Sequence, residues 1–165
     1  VAYAGRISIA AKEQIDPTEP TVYAENLAVG DVVDLSSYKM TAEDLHEFAV
    51  QWDPQRFHID EEFAQQGHFG GIIASGIHSL AIFQRLAVLV AYRHWWVVAG
   101  RAMENIQFHA PVRPGMELHG QLEITDIQFK REDRALVTLH GSLGCDGQVL
   151  FEVTNAAWIW GRARK

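Results

Sequence analysis

The chain has one cysteine, Cys145, among 165 residues. A single thiol excludes an internal disulfide, and no Cys/His zinc spacing surrounds it. Cationic residues are in the minority: 14 Lys and Arg stand against 21 Asp and Glu, for a formal net charge of −7. No basic stripe with interleaved aromatics is present, which argues against a nucleic acid partner. The basic tail Arg162, Arg164 and Lys165 reads as a short solvated end. Long apolar runs are absent too. The most apolar stretch, 80–98, is broken by Gln84, Arg85, Arg93 and His94 and is too polar to span a bilayer. The first residues, Val1-Ala2-Tyr3-Ala4-Gly5, lack the charged region and apolar core of a secretory leader. With the lone thiol, this leads us to expect a cytoplasmic setting. No internal repeat or low-complexity segment appears. The rest is ordinary: 48% apolar and 21% charged residues suit a globular domain with a substantial core.

Periodicity divides the chain. Residues 1–27, with Pro17 and Pro20, show little pattern and read as an N-terminal arm; the domain proper is expected over 28–165. Gly30-Asp31 turns into a strand over 32–40. Thr41 is a helix cap, with Glu43 and Asp44 in the favoured acidic first turn. Leu45, Phe48 and Ala49 follow at helical spacing, and Pro54 stops the helix near Trp52. A further turn or two of helix fits 60–66, with Asp60 as its cap. Residues 75–92 form a helix apolar over most of its girth, which must be wrapped by other structure. Beyond Gly100 the pattern alternates in strand fashion over 103–110, 116–131, 134–144 and 148–160. Pro111–115 is a turn and Asp146-Gly147 a hairpin. An α+β domain follows, in which one antiparallel sheet folds around one apolar helix.

The chemistry-bearing stretch is Asp53-Pro54-Gln55-Arg56-Phe57-His58-Ile59-Asp60, followed by Phe69-Gly70-Gly71-Ile72-Ile73-Ala74-Ser75-Gly76. On a continuous helix Asp53 and His58 would face apart. In a turn after a helix end both can enter one pocket and divide acid and base duties near neutral pH. Gly76 opens the apolar helix, whose first N–H groups can hold an oxygen that gains negative charge. Taken alone, Asp53 reads as a turn residue and His58 as a surface histidine; it is the combination that points to proton chemistry beside a carbonyl. His78, two residues into the helix, reads as a packed or interface histidine. Ser75 lacks the Gly-x-Ser-x-Gly setting of a nucleophile.

This stretch resembles the hydratase motif of the MaoC-like dehydratases and (R)-specific enoyl-CoA hydratases, roughly Asp-x-Asn-Pro-x-His-x-Asp and then Phe-Gly-x-x-Ile-Ala-x-Gly. Asp53, His58, Asp60, Phe69, Gly70, Ile73, Ala74 and Gly76 fall on it. Gln55 stands where Asn is usual and Arg56 where Pro is usual. Gln84 stands where some members carry a helical Ser. The resemblance implies a hot dog fold and a hydratase or dehydratase acting on an acyl thioester, carried by coenzyme A or acyl carrier protein. It implies His58 as the base toward water, Asp53 as the acid toward Cα, and the Gly76 backbone as the oxyanion hole. It further implies a homodimer, with no metal and no redox cofactor. A thioesterase on the same fold would want a carboxylate on the central helix, and 75–92 has none. A non-catalytic acyl-binding or partner subunit would be expected to lose the Asp or the His, and both are present.

Overall fold

The computed structural model describes residues 19–163. The chain runs through β1 (Val32–Lys39), α1 (Ala42–Trp52), α2 (Arg56–Ile59), α3 (Glu61–Gln66) and α4 (Gly76–Val90). It then enters β2 (Val97–Phe108), β3 (Glu117–Arg131), β4 (Arg134–Cys145) and β5 (Gln148–Trp160). The strands form one antiparallel sheet in the order β1-β3-β4-β5-β2. The sheet curls around α4, giving the hot dog architecture expected above.

Local chemistry sets the ends of these elements. Thr41 Oγ1 accepts the Asp44 N–H at 3.0 Å, so α1 starts where the cap predicts. The helix ends at Asp53, held out of helical geometry ahead of Pro54 (φ −154°, ψ 70°). Asp60 accepts the Phe63 N–H and caps α3. The β4–β5 hairpin turns through Asp146 and Gly147, both at positive φ (50° and 79°), the geometry that suits the right-handed twist of the flanking strands.

The core lies between the concave sheet face and α4. Leu118, Leu122 and Ile124 of β3, and Ala135, Val137, Leu139 and Leu143 of β4, alternate inward onto Phe83 and Leu86 of α4. Two inward positions carry no side chain. A Cβ on Gly141 would sit 2.1 Å from Phe83 Cζ, and one on Gly120 would sit 3.1 Å from Leu86 Cδ1, both of α4. The helix therefore lies almost on the sheet backbone at these two points.

Two local expectations change. β2 begins at Val97, not at 103. Its pairing with β5 shifts register between Val97 and Ala99, Gly100 and Ala102, and Glu104 and Gln107. Each irregularity breaks the alternation by which a strand is read, and Asn105 takes φ 51° in the last one. Residues 56–59, read as a turn, close into one helical turn. The described part of the arm, which the sequence left without a role, packs on the domain: the Thr21 and Val22 N–H groups donate to His94 O, and Trp96 N–H donates to Val22 O. Tyr23 stacks on Trp96 with ring centroids 5.7 Å apart. Residues 1–18 of the arm, and Arg164 and Lys165 of the tail, lie outside the described residues.

Candidate active site

The end of α1, the single turn of α2 and the start of α4 converge. His58 is 4% exposed. Its Nδ1 lies 2.7 Å from the Ile73 carbonyl oxygen, which can only accept, so Nδ1 carries a proton and donates it. In the neutral ring this leaves the lone pair on Nε2, 3.4 Å from Asp53 Oδ2.

Asp53 is held from both sides. Gln55 Nε2 donates to Oδ1 at 2.8 Å, and Ser75 Oγ donates to Oδ2 at 2.6 Å. The Ser75 hydroxyl also accepts the Ile77 N–H at 3.2 Å, capping α4. Its acceptor role is thus engaged by the helix and its proton is turned toward Asp53. The Ser75 hydrogen bond, followed by Gln55 and His58, holds the Asp53 carboxyl below the usual carboxylate range against a smaller opposing effect of burial. Asp53 is therefore ionised at neutral pH. The lone pair of His58 and Oδ2 of Asp53 both seek a proton from the same space, and a water O–H placed there would serve both.

Gly76 follows Ser75 as the first residue of α4. Its N–H has no acceptor among the described residues, as expected of a first-turn donor. A side chain would not fit: a Cβ at Gly76 would lie 2.6 Å from the Phe108 ring. Asp53, His58, Ser75 and Gly76 all line one cavity of about 420 Å³, walled by Phe57, Phe69, Phe108 and Leu150. Its rim loop is held by Arg113, whose guanidinium donates to the Phe69 carbonyl. Among the described residues no group of three His, Cys, Asp or Glu is arranged to hold a metal ion.

All three residues singled out from the sequence meet in this cavity. Ser75 and Gln55 were not picked out as partners of Asp53. Their signal was faint: Ser75 lies 22 positions from Asp53, and Gln55 was visible only as a departure from the motif. Asp60 stands apart from the pair, capping α3 and pairing with Arg56 at 2.8 Å.

The sequence profile of the MaoC like domain matches residues 25–142. The chain belongs to this family. It is 37% identical over 115 residues to the uncharacterized protein YdeM of Bacillus subtilis, a match spanning 70% of this chain and 82% of YdeM. Among solved structures, the MaoC-like dehydratase from Rhodospirillum rubrum superposes with a TM-score of 0.78 at 34% identity, over 86% of this chain and 99% of that one. The (R)-hydratase PhaJ1 from Pseudomonas aeruginosa superposes with a TM-score of 0.68 over 85% of this chain and 86% of that one, at 19% identity. That last likeness is one of fold. The MaoC-like family assignment places the chain among hydratases and dehydratases.

Proposed function

We propose that this MaoC-like protein adds water to, or removes it from, an acyl thioester of the 2-enoyl to (R)-3-hydroxyacyl type. The observation that carries the reading is the convergence of Asp53 and His58, 3.4 Å apart, with the unpartnered N–H of Gly76 on one cavity. In the hydration direction the His58 Nε2 lone pair takes a proton from water as the water oxygen attacks Cβ. The thioester oxygen gains enolate charge and is held by the Gly76 N–H. Cα then needs a proton. Asp53, ionised at rest, has none of its own, so it acts as an acid only after receiving the water's proton from His58 across their contact. Oxygen ends on Cβ and the same proton on Cα, so atoms and charge balance. Elimination runs these steps backward.

A homodimer fits this reading. β2 forms one edge of the sheet, and its Met103, Ile106 and Phe108 are exposed. An open edge with an apolar flank favours pairing with a second copy. The decisive experiment follows the enoyl absorbance of a short and a medium trans-2-enoyl-CoA with the purified protein. Asp53→Asn and His58→Ala are each expected to lose roughly 10²–10⁴-fold in kcat. A folded wild type inactive on both thioesters and on their acyl carrier protein counterparts would end the proposal.

A further inference from the structure

The cavity of Asp53 and His58 has a floor as well as a mouth. Phe69, Ile77 and Phe108 are exposed at the mouth, while Ile73, Ser79, Val112 and Leu150 are buried and close the inner end. Ser79 is the polar member of that floor. It is 3% exposed and stands on α4 three residues after Gly76 and four after Ser75, spacings that put all three on one side of the helix. The side-chain donors on the cavity are Gln55, His58, Ser75, Ser79 and His109. Four of them are bonded within the protein: Gln55 and Ser75 to Asp53, His58 to the Ile73 carbonyl and His109 to Glu152. The Ser79 hydroxyl has no hydrogen-bond partner among the described residues. It does not bond even to the Ser75 carbonyl, the group a helical serine often reaches, which takes the His78 and Ser79 N–H groups instead. Nor is it sealed off. Unlike Nδ1 of His78 and Oδ1 of Asn155, which are fully enclosed, its Oγ keeps open surface, and the space it borders is this cavity.

A buried hydroxyl without a partner is costly, and a methyl group in its place would complete an apolar floor without that cost. Its depth acquires a meaning on the reading given above, on which this inference rests. With the thioester oxygen on the Gly76 N–H, Ser79 lies about 4.5 Å further along α4, close to one turn. An extended chain advances about 1.2 Å per bond. The hydroxyl therefore stands beside the fourth or fifth carbon of an acyl group that runs inward from the oxyanion site. No Lys or Arg lines the cavity, so a carboxylate at that depth would be buried without a cationic partner. An uncharged oxygen needs only the one donor that Ser79 offers. We propose that Ser79 is a specificity-determining residue, which selects acyl thioesters bearing an uncharged oxygen, keto or hydroxyl, on the fourth or fifth acyl carbon.

The test uses saturated thioesters, which bind without being hydrated. Hexanoyl-CoA, 4-oxohexanoyl-CoA and 5-oxohexanoyl-CoA are titrated calorimetrically into the full chain. At least one oxo compound is expected to bind about tenfold more tightly than hexanoyl-CoA, the scale of one hydrogen bond. Ser79→Ala removes only the hydroxyl, at a helix position where alanine is favourable, and should level the three affinities. Equal or tighter binding of hexanoyl-CoA by the wild type, the result if a water already satisfies Ser79, overturns the proposal. So does an oxo preference that survives in Ser79→Ala, or no binding of any of the three. Hydration of trans-2-hexenoyl-CoA is followed in parallel. Turnover without an oxo preference removes this inference and leaves the Asp53–His58 reading standing; an oxo preference lost in Ser79→Ala, without turnover, does the reverse.

Discussion

Both oxygens of Asp53 are engaged before any substrate arrives, and the donors come from opposite sides in sequence, Gln55 and Ser75. Each donor should have its own kinetic signature. Ser75→Ala removes the hydrogen bond that contributes most to holding Asp53 ionised. The acidic limb of the pH–rate profile should move to higher pH and kcat should fall about tenfold, while Ser75→Thr, which keeps the hydroxyl, should restore both. Stability carries the matching sign. A carboxyl depressed in the folded state contributes stability that is present above its unfolded pKa and is lost as pH falls through its folded value. His78 behaves oppositely to a histidine that gains a partner. Burial lowers its folded pKa to about 4, below the ordinary 6.5. The unfolded chain therefore binds the proton first, and stability falls as pH drops from about 6.5 toward 4, by at most about 3 kcal/mol. Urea unfolding midpoints across that window should decline in the wild type and flatten in His78→Phe.

At the scale of elements, what could be read from the sequence and what could not divide on a physical line. Features decided within a few residues were legible: the Thr41 cap, the stop before Pro54, the Asp60 cap and the positive-φ hairpin at Asp146-Gly147. The pairing of Asp53 with His58 was legible because the motif is local. Features decided by a distant partner were not. The bulges that disguise the first half of β2 exist only in its pairing with β5, and Ser75 has meaning for Asp53 only once α4 docks beside α1. The wrapping of α4 also yields a test. Gly141→Ala would drive a methyl against the fully buried Phe83 ring. It should cost about 1–3 kcal/mol by denaturant unfolding, although no side chain is removed and Gly141 does not itself line the cavity of Asp53 and His58.

Across the whole molecule, the two faces that the sheet and helices leave open differ in character. The β2 edge exposes Met103, Ile106 and Phe108 among polar side chains, and the proposed dimer would bury them. Ile106→Lys should convert the dimer to monomer, read as mass by light scattering, and should lower hydration if the groove needs both copies. The cavity beside His78 is a groove between α1 and α4 with the exposed Trp52 on its lining. No helix of the described residues is long and apolar enough to cross a membrane.

The bare positions at Gly120 and Gly141 have one more consequence. A helix laid on a smooth sheet could roll or slide by a fraction of a turn. Here Phe83 is seated in a slot left by an absent side chain on β4, and Leu86 is seated over a similar slot on β3. The slots act as a keyway that fixes both the rotation and the axial setting of α4. The first N–H of that helix points where it does because a residue two turns along is locked in place, so the aim of the Gly76 donor is set in the core as much as at the mouth of the cavity.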